Sequence, residues 1–190
     1  MKKMSASWKT RLVIVMVIIS QVAVACRKSG QKDDETPPVL SVTPVDITTV
    51  RHIIPFGADL RPGQKNPAFE YYVNGSSVEV RSVCAGYVED IRLNDNFPDY
   101  EVWIKTSSAS VFKLIYDHVV DLNVKKGDKV DAGTVLGKVG NGDRTELQIN
   151  KSDRDKGELS YCPFDFATDD FISRHKQFTD TWCLTGTVRP

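Results

Sequence analysis

The sequence predicts a mainly β protein, an antiparallel sheet folded on itself with a short helical extension at the C-terminus. Three observations predict it. From Glu70 to Ile149 short apolar patterns of β type recur between turn residues. Val124 to Gly140 alternates Val and Leu with Gly-Asp and Ala-Gly turns. After Asn150 the composition shifts toward a single short helix.

The chain begins with Lys2, Lys3, Lys9 and Arg11, followed by an apolar run from Leu12 to Ala25 that stops at Cys26. Such a run is shorter than the ~20 residues that a spanning helix needs, and it has the form of a targeting segment. Ala23-Val24-Ala25-Cys26 resembles a bacterial lipobox, which implies cleavage before Cys26, acylation of that cysteine and a lipid tether to a membrane. Arg27 stands where an inner-membrane retention signal would place an aspartate, which favours the outer membrane and a periplasmic location. Residues 1–25 hold four of the 25 basic residues and none of the 25 acidic ones, so the remainder is acidic by four charges. That balance argues against nucleic acid as a partner.

Residues 26–46 carry charges, serines and Pro37, Pro38 and Pro44, the composition of a linker. The sheet domain is expected over 47–150 and the C-terminal extension, packed on it, over 151–190. Glu70 to Val73 and Val78 to Val83 flank Asn74-Gly75, a hairpin signal. Tyr87 to Leu93 and Tyr100 to Lys105 flank a polar loop, and Val111 to Asp117 pairs with the second of them across Ser107 to Ser110. In the glycine-punctuated run, Gly127, Gly133 and Gly137 suit bends with positive φ, and Val130, Val135 and Val139 form a buried face. Thr168 is a helix N-cap followed by Asp169 and Asp170, with Phe171, Ile172, His175 and Phe178 on one face. His175 reads as packing, and His52 as an edge residue. Tyr72, Tyr87, Tyr100 and Trp103 read as sheet packing. Of the cysteines after the lipobox, Cys162 and Cys183 are expected to pair, and Cys84, in an apolar stretch, to remain a buried thiol.

Phe56-Gly57, Ala85-Gly86-Tyr87-Val88, Tyr116-x-His118 and the Gly127-Asp128 hairpin occur in the order found in lysostaphin-like, LytM-type peptidoglycan endopeptidases, which the chain resembles from about Pro55 to Asn150. The resemblance implies a barrel-sandwich-hybrid-like peptidase fold, a zinc ion and a cell-wall peptide substrate. The family's first motif, His-x-x-x-Asp, corresponds to Asn66-Pro-Ala-Phe-Glu70 in one register and to Pro55-Phe-Gly-Ala-Asp59 in another. Its last motif, His-x-His, corresponds to Glu146-Leu147-Gln148. The expected site residues are therefore Asn66, Glu70, His118, Glu146 and Gln148, with His118 and Glu146 vestiges of the catalytic pair.

Neutral amides are weak zinc ligands, so no metal and no cofactor are expected. With three histidines in the chain and no His-x-His, realignment supplies no replacement. The resulting expectation is a non-catalytic binding or regulatory protein of the cell envelope, using the groove for peptidoglycan or another envelope protein. Two alternatives stand beside it. One is a metal-dependent hydrolase with an altered ligand set, or with Glu70 and Glu146 as acid and base. The other is a lipoyl-like adaptor, which the Gly-Asp pattern also fits but for which no modifiable lysine motif is present.

Overall fold

The computed structural model describes residues 32–190. The targeting segment and Cys26 lie outside the described residues. Within them the strands are β1 (Val50–Ile54), β2 (Asp59–Arg61), β3 (Gln64–Lys65), β4 (Ala68–Val73), β5 (Glu79–Arg81), β6 (Gly86–Leu93), β7 (Tyr100–Lys105), β8 (Phe112–Val120), β9 (Lys129–Val130), β10 (Val135–Val139), β11 (Arg144–Asp153), β12 (Gly157–Tyr161) and β13 (Thr187–Val188), with one α-helix, α1 (Asp169–Lys176). An eleven-stranded sheet runs in the order β1-β4-β11-β8-β7-β6-β9, with β10 joining β5 to β8 and β12 joining β11 to β13. Its strand pairs are antiparallel. The predicted fold class is the one observed.

Period-two alternation sorts the side chains of the central strands. Phe69 and Tyr71 of β4, Val102 and Ile104 of β7, Leu114 and Tyr116 of β8, and Leu147 and Ile149 of β11 are fully buried and form one core. Their immediate sequence neighbours Glu70, Asp117 and Glu146 fall on the opposite face of the same strands. Burying the apolar set contributes ~1.5–3 kcal/mol per large side chain and holds the polar set in register.

Several expectations need correction. Asn74-Gly75 does not close a hairpin: β4 pairs with β1 and β11, and β5 with β10. Gly75 has φ 99°, so the local turn signal was sound, but long-range pairing decides the partners. The linker does not extend to residue 46. Leu40 and Val45 are buried, Leu40 N–H donates to Phe166 O, and Ser41 N–H donates to Val83 O. The prolines that suggested a linker here fit an extended strap that packs without forming strands, and Pro38 and Pro44 are themselves buried. The boundary at 150 also moves, because β11 runs on to Asp153 and β12 pairs back along it.

Gly127 and Gly133 have φ of 91° and 89°, as expected for bends. Gly137 does not have positive φ; a Cβ there would lie 2.4 Å from Val120 O, so the residue permits close strand packing instead. In the same run Val130, Leu136 and Val139 are buried, and Val135 is only half-buried.

The C-terminal part closes over one end of the core. The Thr168 hydroxyl accepts from Phe171 N–H and caps α1. Phe171 and His175 are its buried residues, while Ile172 is half-buried and Phe178 lies beyond the helix, exposed. His175 stacks on Phe171 at 4.1 Å and meets Trp182 edge-on at 4.8 Å. Its Nδ1 donates to Phe171 O, its Nε2 accepts from the Tyr71 hydroxyl, and burial lowers its pKa to about 4. It is a packing residue, as expected. The Cys162–Cys183 disulfide ties this segment down, and Cys84 is a buried free thiol with its pKa pushed up to about 12.

Candidate functional site

The site lies on the polar face of β4, β11 and β8, under the loop between β6 and β7. Cross-strand pairing sets Glu146 of β11 between Glu70 of β4 and Asp117 of β8. Two residues back along β11, Arg144 pairs with Tyr72 and falls on the same face. His118 has φ 55°, a left-handed conformation unusual outside glycine. Strand β7 shifts register against β8 between Tyr100 and Val102, alongside this residue. The two irregularities accompany a ring that faces Asp99 and Arg144 instead of continuing the core.

The His118 ring is held at both nitrogens. Nδ1 lies 2.9 Å from Asp99 Oδ2, and Nε2 faces a terminal nitrogen of Arg144. A guanidinium only donates, so Nε2 is the acceptor and Nδ1 carries the proton. Asp99 is fully buried; burial opposes its ionisation, but donation from Asn94 and His118 outweighs it and holds the carboxyl below its usual range. Gly140 makes room for this pair, since a Cβ there would lie 2.8 Å from both Asp99 Oδ2 and His118 O.

Arg144 is the centre of the arrangement. One terminal nitrogen donates to Glu70 Oε1 at 2.7 Å, the other to His118, and the Tyr72 hydroxyl donates to the same Glu70 oxygen at 2.6 Å. Burial works against the guanidinium charge, but Tyr72, Glu70 and Glu146 outweigh it, so the cation is retained. Glu146 accepts no hydrogen bond from the described residues, lies 3.7 Å from His118 Nε2, and keeps 18% of its side chain exposed. Burial, then the charges of Glu70 and Asp117, raise its pKa to about 8 despite the opposing effect of Arg144.

Of the five residues expected from the sequence, Glu70, His118 and Glu146 come together; Asn66 and Gln148 do not join them. The Asn66 amide is spent on the carbonyls of Ile54 and Pro55 and on Ala68 N–H. Gln148 donates to Asn150 and Ser160 further along the sheet. Asp59, from the other register of the first motif, is exposed on β2 and paired with Lys65. The pair of β11 positions that reaches His118 is thus Arg144-x-Glu146, two residues earlier than expected. Arg144 was missed because a charged residue before a motif reads as solvated, although its i−2 spacing from Glu146 already put it on the same strand face.

Asn66 and Gln148 do not fit a metal: their amides are used elsewhere, and Glu70 already faces a guanidinium. Asp99, Asp117 and His118 also offer ligand atoms within 4.8 Å of one another. Their fit is poor for the same reason: Asp99 and both His118 nitrogens are already bonded, and Asp117 Oδ1 accepts from Asn94 Nδ2 and His118 N–H. The site can bind, orient and hold protons without a step that depends on a metal.

An open antiparallel sheet carrying a histidine and carboxylates in a groove defines a peptidase-like β domain. The family model for peptidase family M23 matches residues 70–155. Csd3 of Helicobacter pylori has a similar structure, with 20% identity and a TM-score of 0.53 over 70% of this chain and 35% of that one. A chain from the SpoIIQ-SpoIIIAH pore forming complex matches with 17% identity and a TM-score of 0.52, over 73% and 96% of the two chains. Likeness at these identities shows the fold. The chain spans about a third of the length of the Csd3 chain it matches. No curated protein sequence matches it.

Proposed function

We propose that the protein is a lipid-anchored, peptidase-like protein of the bacterial cell envelope whose groove binds without cleaving. One observation carries this reading: the Arg144 guanidinium is bonded to Glu70 and to His118 Nε2, the groups that in a working metallopeptidase would face the metal and its water. A fixed cation of this kind neutralises Glu70 but is not a Lewis acid, so it does not coordinate a water and lower its pKa as a metal does. His118 meanwhile has its lone pair engaged, so it has no free base to offer.

What remains is a groove of donors and acceptors suited to a peptide or to another envelope protein, with a regulatory role as the natural use. Its localisation follows from the lipobox resemblance. The test is to incubate the purified protein with isolated peptidoglycan and follow both retention and release of soluble fragments. Retention without fragments is expected. Fragment release that depends on Glu146 or His118 would establish an enzyme instead.

A further inference from the structure

Asn74-Gly75 and Asn141-Gly142 both stand in exposed turns. The second joins β10 to β11 and leads straight into Arg144. Gly142 has φ 78°, which glycine adopts without strain, and a Cβ added there would meet no heavy atom within 4 Å. Among the described residues its N–H donates to no group, and the Asn141 side-chain amide has no partner. The backbone N–H of Asn141 faces Asp99 Oδ2 at 3.4 Å.

A free side-chain amide followed by a free, uncrowded backbone nitrogen is a reactive pair. Hydroxide takes the Gly142 amide proton, and the nitrogen bonds to Asn141 Cγ, closing a five-membered imide. The Cγ–Nδ2 bond breaks, and Nδ2 takes a proton from water and leaves as ammonia. Water then opens the imide at either carbonyl, giving aspartate or isoaspartate. No oxidant or reductant takes part.

The product bears on the site through three backbone bonds. Gly140 N–H is shared between His118 O at 2.8 Å and Arg144 O at 3.2 Å, and Asp143 O accepts from Val73 N–H at 2.8 Å. These bonds hold the turn closed and set Arg144 in register. Isoaspartate inserts the former side-chain methylene into the main chain between Gly140 and Asp143, so the turn is one atom too long for them. Its new carboxylate hangs from the Cα whose N–H faces Asp99, and two like charges this close repel. The Asn74 turn carries no such bond to a site residue, since its N–H donates to Thr49 O.

We propose that Asn141 is a self-modification site, converted through the imide to aspartate and isoaspartate, and that the conversion releases Arg144 from His118. The proposal is independent of what the groove binds.

The test ages the full chain in detergent micelles in mildly alkaline and, in parallel, mildly acidic buffer, beside the free peptide Ac-Val-Gly-Asn-Gly-Asp-NH2 as a clock. Peptide mapping by mass spectrometry follows the exchange of ammonia for water, and amide chemical shifts follow the site. Asn141 should convert within about tenfold of the clock peptide's rate, and about tenfold or more faster in the alkaline buffer. In the converted fraction the signals of Asp99, His118 and Arg144 should move. Asn141→Gln, checked for unchanged melting, would require a six-membered ring and should abolish both the conversion and the shifts, while Asn74→Gln should leave both in place. An intact Asn141 once the clock peptide is fully converted, conversion with no shift at His118 and Arg144, or the same shifts in aged Asn141→Gln would overturn the proposal.

Discussion

Replacing Arg144 with methionine removes the guanidinium and keeps most of the stem. Glu70, whose side chain is only 4% exposed, then retains the Tyr72 hydroxyl as its sole donor. Breaking a buried ion pair on one side costs about 3–5 kcal/mol, because the remaining charge is left uncompensated. Arg144 is 26% exposed, so water can reach the gap, and the lower end, about 3 kcal/mol, is expected. For a domain of this size that corresponds to a fall in Tm of about 6–12 °C. A double-mutant cycle isolates the pair. Glu70→Gln removes the acidic charge, and in that background Arg144→Met should cost only about 1 kcal/mol, a coupling of about 2 kcal/mol. Denaturant unfolding of the four proteins measures it. A loss below about 0.5 kcal/mol for Arg144→Met, or equal losses in both backgrounds, would refute the idea that the guanidinium compensates Glu70.

Three further outcomes follow from the same geometry. Glu146 has its folded pKa raised from 4.5 to about 8, so the unfolded chain releases this proton first as pH rises. Its contribution is full below about pH 4.5 and is lost toward pH 8, by up to about 1.4 kcal/mol per pH unit. His175, with its pKa lowered from 6.5 to about 4, acts in the other direction and loses stability as pH falls from 6.5 to 4. Denaturant midpoints should therefore fall between pH 6.5 and 8, and Glu146→Gln should flatten that slope. Opening the Cys162–Cys183 bridge, which spans 21 residues, by a double Cys→Ser substitution should cost about 3 kcal/mol in chain entropy and should show first as faster amide exchange in α1 and around Trp182. Arg144→His should create affinity for zinc, since it places an imidazole beside Glu70, Glu146 and His118; zinc should raise the melting temperature of that variant and not of the unaltered protein.

The fold was legible where local pattern and long-range pairing agree. The β7 pattern from Tyr100 to Lys105 and its neighbours in β6 and β8 form the strands and pairs that their alternation implied. The Cys162–Cys183 bridge and the Thr168 cap were also readable, because each depends on nearby chain. Asn74-Gly75 misled because a turn specifies a bend and not which strands flank it in the sheet. The strap from Lys32 to Asp46 misled because prolines and charges describe a chain without regular structure, and Leu40 and Val45 bury themselves without any. At the site, His118, Glu70 and Glu146 were recoverable from motif order. Arg144 was not, because its role depends on cross-strand registration with Tyr72 and on a bulge beside His118. Those are properties of the paired strands.

The central claim is that a guanidinium stands where the family would use a metal. The most direct measurement is metal content by elemental analysis, on protein produced with zinc supplied and then dialysed against zinc-free buffer, with Arg144→His carried through in parallel. The account predicts far less than one zinc per chain in the unaltered protein and a marked increase in the variant. One tightly held zinc per unaltered chain, released only with loss of structure around His118, would contradict it.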